Sequence, residues 1–111
     1  DLHPDVSIDV MSQNQTLSEL TAKLVQGCDS LLSDLNPDWV LVQGDTTTVV
    51  AASLAAFYRD IRVGHVEAGL RSHEKRAPFP EEVNRKITSV LADLQKFYSS
   101  RVTGEKILVN L

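Results

Sequence analysis

The 111-residue chain has a single cysteine, Cys28, so an internal disulfide is excluded. A reducing compartment is the natural reading, and a cytoplasmic location is the expectation. Aromatic residues are scarce, at 5% of the chain. Glycine and proline are few, with 5 and 4 residues, so neither a collagen-like nor a low-complexity chain is in view. No apolar run is long enough to cross a bilayer, and no leader pattern is present, so no membrane association is expected. Lysine and arginine are scattered and the net charge is -4, so bulk electrostatics offer nucleic acid nothing to bind. The chain begins at Asp1 rather than Met, as a piece of something longer would.

What remains is an ordinary globular composition with enough chain for one small core. Val6 to Val10 alternates apolar and polar, as a half-buried strand or extended segment does. Thr16 and Glu19 form a capping box. Behind them Leu17, Leu20, Leu24, Cys28, Leu31, Leu32 and Leu35 recur at helical spacing, with Gly27 tolerated among them. On this stripe Cys28 reads as a core residue rather than a nucleophile. Asn36-Pro37-Asp38 ends the helix.

Residues 39–43 are apolar without alternation up to Gln43 and predict a strand buried on both faces. A helix apolar on most sides follows from Thr46 to Tyr58, then a second strand over 61–66. The order strand, helix, strand predicts a βαβ unit with parallel strands, hence an α/β fold. Residues 67–79 show no periodicity and are polar and basic; a loop of this length is often functional. Pro80 suits the first turn of a helix whose apolar stripe would be Val83, Ile87, Val90, Leu91 and Leu94. Phe97-Tyr98 predicts a short strand, and residues 105–111 a last helical piece.

Three carboxylates fall at strand ends or helix starts, where open α/β sheets bind ligands. Asp45 follows the first strand; it either caps the next helix or faces the crevice beyond the sheet. Glu67 leaves the second strand; it either pairs with Arg71 at the surface or lines the same crevice. Glu81 and Glu82 open the last helix, where acids offset the macrodipole and Glu81 could pair with Arg85 four residues on. The functional alternative makes one of these two glutamates a wall of the crevice. No HExxH or cysteine pattern supports a metal, no serine sits on a strand-to-helix elbow, and no GxGxxG or GxxxxGK[ST] motif is present.

Taken together, the runs VLVQGDTTT at 40–48, SLAAFYRDIRVGHVEAGLRS at 53–72 and PFPEEVNR at 78–85 resemble the non-hydrolysing UDP-N-acetylglucosamine 2-epimerases. The likeness extends from about Pro4 to Leu94 and fades where Gln95 to Ser100 replaces the family's usual continuation. Position 43, often histidine in that family, is Gln here. The resemblance implies a parallel-sheet, Rossmann-like half-domain of the glycosyltransferase-B type. Residues 1–111 would be a partial N-terminal domain, with the second, UDP-binding domain absent. It further implies interconversion of UDP-N-acetylglucosamine and UDP-N-acetylmannosamine by elimination and re-addition of UDP, with no cofactor and no metal. The family's acidic catalytic positions match Asp45, Glu67 and Glu81, and Arg85 matches an arginine of the substrate site. The implied partner is a nucleotide-sugar, and the full-length enzyme is expected to be a homodimer. With half of the site missing, the isolated chain is expected to be inactive and marginally stable. The alternative is a non-catalytic remnant, or a module that binds sugar nucleotides or partners.

Overall fold

A computed structural model describes residues 3–69 and 71–96. Helix α1 spans Leu17–Leu35, strand β1 Trp39–Gln43, helix α2 Thr47–Tyr58, strand β2 Arg62–Val66, helix α3 Glu81–Leu91 and strand β3 Leu94–Lys96. The strands form one parallel sheet in the order β1-β2-β3. The expected βαβ unit is present: β1 pairs with β2 in parallel, Trp39 opposite Arg62 through Gln43 opposite Val66. Such a connection requires a crossover, and α2 supplies it. The strands predicted at Phe97-Tyr98 and the helix at 105–111 lie outside the described residues.

Local chemistry accounts for the helix ends. Thr16 caps α1, its hydroxyl accepting from the Glu19 amide at 3.1 Å. Asn36 stops the helix in the left-handed region at φ 43°. Helix α2 packs against both α1 and α3 and buries Val49, Val50, Ala51, Ser53, Ala55 and Ala56. Burial thereby overrides the low helix propensity of its threonines and valines. Cys28 and Leu32 of α1 join Val42, Val49, Ala55, Ala56, Ile61 and Val63 in the core, and burial pushes the Cys28 thiol up.

Three expectations need correction. Strand β1 is not buried on both faces: only Val42 is fully buried, because β1 is the edge strand among the described residues. Of the two alternatives for residues 6–10, the regular strand is not formed, and Ile8 leans on α1. The last helix stops at Leu91, and Leu94 begins a strand. Moreover, α3 turns its polar residues inward. Glu82, Asn84, Arg85 and Thr88 are buried, whereas Ile87 and Val90 of the predicted stripe are 41% and 82% exposed.

Gly27 is a requirement of packing rather than a tolerated defect. A Cβ there would lie 2.8 Å from Ile8 Cγ2. Alanine would gain about 1 kcal/mol of helix propensity, but overpacking costs about 1–3 kcal/mol. Gly27→Ala should therefore destabilise the chain, and the same change in an Ile8→Ala background should stabilise it by about 1 kcal/mol. Urea denaturation of the double-mutant cycle measures both. A stabilising single Gly27→Ala would show that Ile8 does not hold this contact.

Candidate functional site

Strands β1 and β2 run side by side and end together, and the chain leaves each at a carboxylate. Gly44 follows β1 with φ 86°, a conformation glycine adopts without cost. Its amide donates to Val66 O at 3.0 Å, adding one more rung between the two strand ends. Asp45 comes next. It is not the helix cap: Thr46 takes that place, its hydroxyl accepting from the Val49 amide. Asp45 is thus released for a tertiary role: its Oδ2 accepts from Arg85 Nε at 3.1 Å and forms an ion pair with Nη2 at 3.0 Å. Its carbonyl accepts from Asn84 Nδ2 at 2.8 Å.

Glu67 occupies the corresponding position after β2, with φ 60°. A glutamate in the left-handed region is uncommon, and such residues persist where surroundings hold them. Here the Glu67 carbonyl accepts from Arg85 NH1. Its Oε1 accepts from Gln43 Nε2 at 3.1 Å. The suggested Glu67–Arg71 pair does not form, nor is Arg85 hydrogen-bonded to Glu81. Arg85, only 6% exposed, spans from the Asp45 carboxylate to the Glu67 main chain. It joins the two strand ends.

Arg71 pairs with Glu82 instead, Nε donating to Oε1 at 2.8 Å. The buried Glu82 carboxylate also accepts from the amides of Ser72 at 3.1 Å and His73 at 3.2 Å. One side chain at the start of α3 therefore organises the irregular loop. The Arg71 guanidinium, aided by the Ser72 and His73 amides, holds Glu82 at about 2, well below the ordinary 4.5. A depressed folded-state value means that stability is fully present above 4.5 and is lost as pH falls from there through about 2. Acid unfolding should therefore steepen in that window, and Glu82→Gln should flatten the dependence. Identical pH slopes for the two proteins would remove Glu82 from this role.

Between these elements lies a cavity of 270 Å³ lined by Asp45, Arg71, Ser72, Pro78, Glu81, Glu82 and Arg85. Asp45 and Arg85 pair, as do Glu82 and Arg71. Glu81 is left over: its Oε2 is buried without a hydrogen-bond partner. A buried carboxylate oxygen with no partner costs stability, and such groups cluster where a protein handles ligands or protons. Of the residues expected from sequence, Asp45, Glu81 and Arg85 line this cavity. Glu67 is not in its lining, although its main chain is bound to Arg85. Among the described residues no group of three or more His, Cys, Asp or Glu is placed to hold a metal ion.

Sequence reasoning missed Asn84; it weighed Glu82 only as a helix-start acid or a crevice wall, and found the partners of neither Glu82 nor His65. Their partners lie 9 to 39 residues away, where no periodicity links them. The only available signal was local: a histidine among Val63, Gly64 and Val66 of the strand.

Comparison with known proteins matches residues 1–108 to the family model described as UDP-N-acetylglucosamine 2-epimerase. The UDP-N-acetylglucosamine 2-epimerase of Bacillus subtilis is 54% identical over 93 residues, which are 84% of this chain and 24% of that protein. A crystal structure of a UDP-N-acetylglucosamine 2-epimerase superposes with a TM-score of 0.83 at 53% identity, over 86% of this chain and 27% of the other. The Neisseria meningitidis enzyme, solved bound to UDP-GlcNAc, also gives 0.83, at 48% identity over 86% of this chain and 26% of that one. The chain thus spans about a quarter of the length of the proteins it matches. The parallel Rossmann-like α/β sheet expected from the sequence is the architecture of these neighbours.

Proposed function

The chain belongs to the UDP-N-acetylglucosamine 2-epimerase family, and from that premise we propose that it carries the sugar-facing half of a site that interconverts UDP-N-acetylglucosamine and UDP-N-acetylmannosamine. Residues 1–111 are part of the N-terminal Rossmann-like domain of such an enzyme, which works as a cytoplasmic homodimer. The observation that carries the reading is that Glu81 lines the same cavity as Asp45 while its Oε2 is buried without a hydrogen-bond partner.

The chemistry asks for carboxylates. A base takes the proton from sugar C2, the bond from C1 to the UDP oxygen breaks, and UDP leaves with the bonding electrons. UDP then re-adds at C1 while a proton returns to C2 from the opposite face. No electrons are gained or lost overall, so acid-base groups and a firm grip on UDP suffice. Asp45, Glu67 and Glu81 are the proposed acid-base groups. Glu81 has an uncompensated oxygen for a proton, whereas Asp45 is held in place by Arg85. Arg85 is the proposed substrate-binding arginine: it lines the cavity and keeps N–H donors beyond those given to Asp45 and the Glu67 carbonyl. Small residues at Ala68 and Gly69 leave room for the sugar beside Glu67.

A chimera tests this. The matching segment of the Bacillus subtilis enzyme is replaced by residues 4–96 of this chain, and formation of UDP-N-acetylmannosamine from UDP-N-acetylglucosamine is followed. Turnover is expected in the chimera and not in the 111-residue chain alone. A folded chimera without turnover would overturn the catalytic reading and favour a module that only binds sugar nucleotides.

A further inference from the structure

His65 is the most buried ionisable side chain of the described residues, at 1% exposure, and the chemistry above does not use it. It lies on β2, opposite Val42 in the sheet register, two residues before Glu67. Its Nε2 is 2.6 Å from the Gly44 carbonyl, and its Nδ1 is buried with no partner. A carbonyl oxygen only accepts, so Nε2 must carry the proton. A proton on Nδ1 as well would leave a charged buried donor with nothing to receive it.

The place of that bond gives it meaning. The Gly44 amide is taken by Val66 O, the Asp45 carbonyl by Asn84, and the Asp45 carboxylate by Arg85. The Gly44 carbonyl lies beyond the last paired residue of β1, and His65 is its partner. The turn is therefore held from two elements, α3 and β2, and the imidazole is a second hold from β2 beside the Val66 carbonyl. Gly44, with φ 86°, has no side chain of its own to limit its rotation. Without a donor at its carbonyl, the peptide plane that leads into Asp45 is free to turn.

We propose that His65 is a positioning residue for Asp45: locked as the Nε2–H tautomer, it holds the Gly44 carbonyl and so sets the direction in which the Asp45 carboxylate enters the cavity. The inference rests on Asp45 belonging to the proposed site, but not on turnover. A ring that merely filled core volume would be replaceable by leucine, whereas a ring that donates is replaceable by glutamine, whose Nε2 reaches a similar distance.

The test uses the full 111-residue chain, labelled with ¹⁵N in histidine and ¹³C in glycine and aspartate. Long-range ¹H–¹⁵N correlation at neutral pH should show His65 as the Nε2–H tautomer. His65→Leu should shift the Gly44 carbonyl and Asp45 carboxyl resonances, and His65→Gln should return them toward the wild-type positions. An Nδ1–H tautomer, or Asp45 and Gly44 signals unmoved in a folded His65→Leu protein, would overturn the proposal. If His65→Leu does not fold, the wild-type tautomer and the His65→Gln spectrum decide: native-like Asp45 signals support positioning, and displaced signals with the protein folded refute it. The epimerase reading fails separately, through an inactive chimera whose isolated segment still shows the stated tautomer.

Discussion

Glu67→Gln in the active chimera should lower turnover by about 10²–10⁴-fold, the range that positioned acid-base groups contribute. The substitution is well matched to the local structure. Glutamine keeps the length of the side chain, and its carbonyl oxygen can still accept from Gln43 Nε2, as Glu67 Oε1 does at 3.1 Å. The left-handed backbone at φ 60° strains both residues alike, and the Arg85 bond is to the main chain. What glutamine cannot do is exchange a proton. The structural alternative gives Glu67 one exposed hydrogen bond, worth on the order of 1 kcal/mol. That role would leave kcat almost unchanged. Wild-type turnover with an unchanged melting temperature would therefore strike Glu67 from the proposed catalytic groups. The test matters because Glu67 is absent from the cavity lining, although Arg85, which lines it, holds the Glu67 main chain.

Arg85→Met should destabilise the chain by about 2–4 kcal/mol, somewhat below a fully buried pair because Asp45 can regain water. Two hydrogen bonds and an ion pair are lost at once: one bond and the ion pair to Asp45 Oδ2, and one bond to the Glu67 carbonyl. The Asp45 side chain left without its partner is 29% exposed, so water replaces part of what Arg85 gave it. Arg85→Lys should recover little, since one ammonium cannot reach a carboxylate and a main-chain carbonyl with the fixed fork of a guanidinium. Urea denaturation reads the outcome. A cost under about 0.5 kcal/mol, the usual range for a surface substitution, would mean that Arg85 is not a clamp and is free to meet substrate directly. In the chimera, loss of Arg85 should also lower turnover, because both strand-end residues would lose their common anchor.

Much of the architecture was legible in the residues. An apolar run at 39–43, a helix apolar on most sides and a second strand over 61–66 leave little choice but a parallel βαβ unit. Thr16 and Asn36 mark the ends of α1 through chemistry that acts within a few residues. The motifs GDTTT, HVEAGLR and PEEVNR pointed to three carboxylates, of which Asp45 and Glu81 line one cavity and Glu67 does not. The pairing of charges was not legible. Spacing proposed Glu67 with Arg71 and Glu81 with Arg85, both pairs of the kind that a helix or short loop brings together. The fold chose Arg71 with Glu82 and Arg85 with Asp45, across 11 and 40 residues. An exposed i,i+4 pair contributes only about 0.3–0.5 kcal/mol, whereas a guanidinium already buried against the sheet needs a partner wherever the backbone leaves one.

The same competition explains α3. Its apolar periodicity predicted an inward stripe of Val83, Ile87 and Val90, yet Glu82, Asn84, Arg85 and Thr88 face inward. The sequence by itself determined that a helix would form there, since 3.6-residue periodicity and the preceding proline are local properties. Only the tertiary structure decided which face it would bury. The Gly44–Asp45 turn and the 71–73 loop present unpaired carbonyls, amides and a carboxylate, and buried polar groups must find partners before apolar ones find contacts.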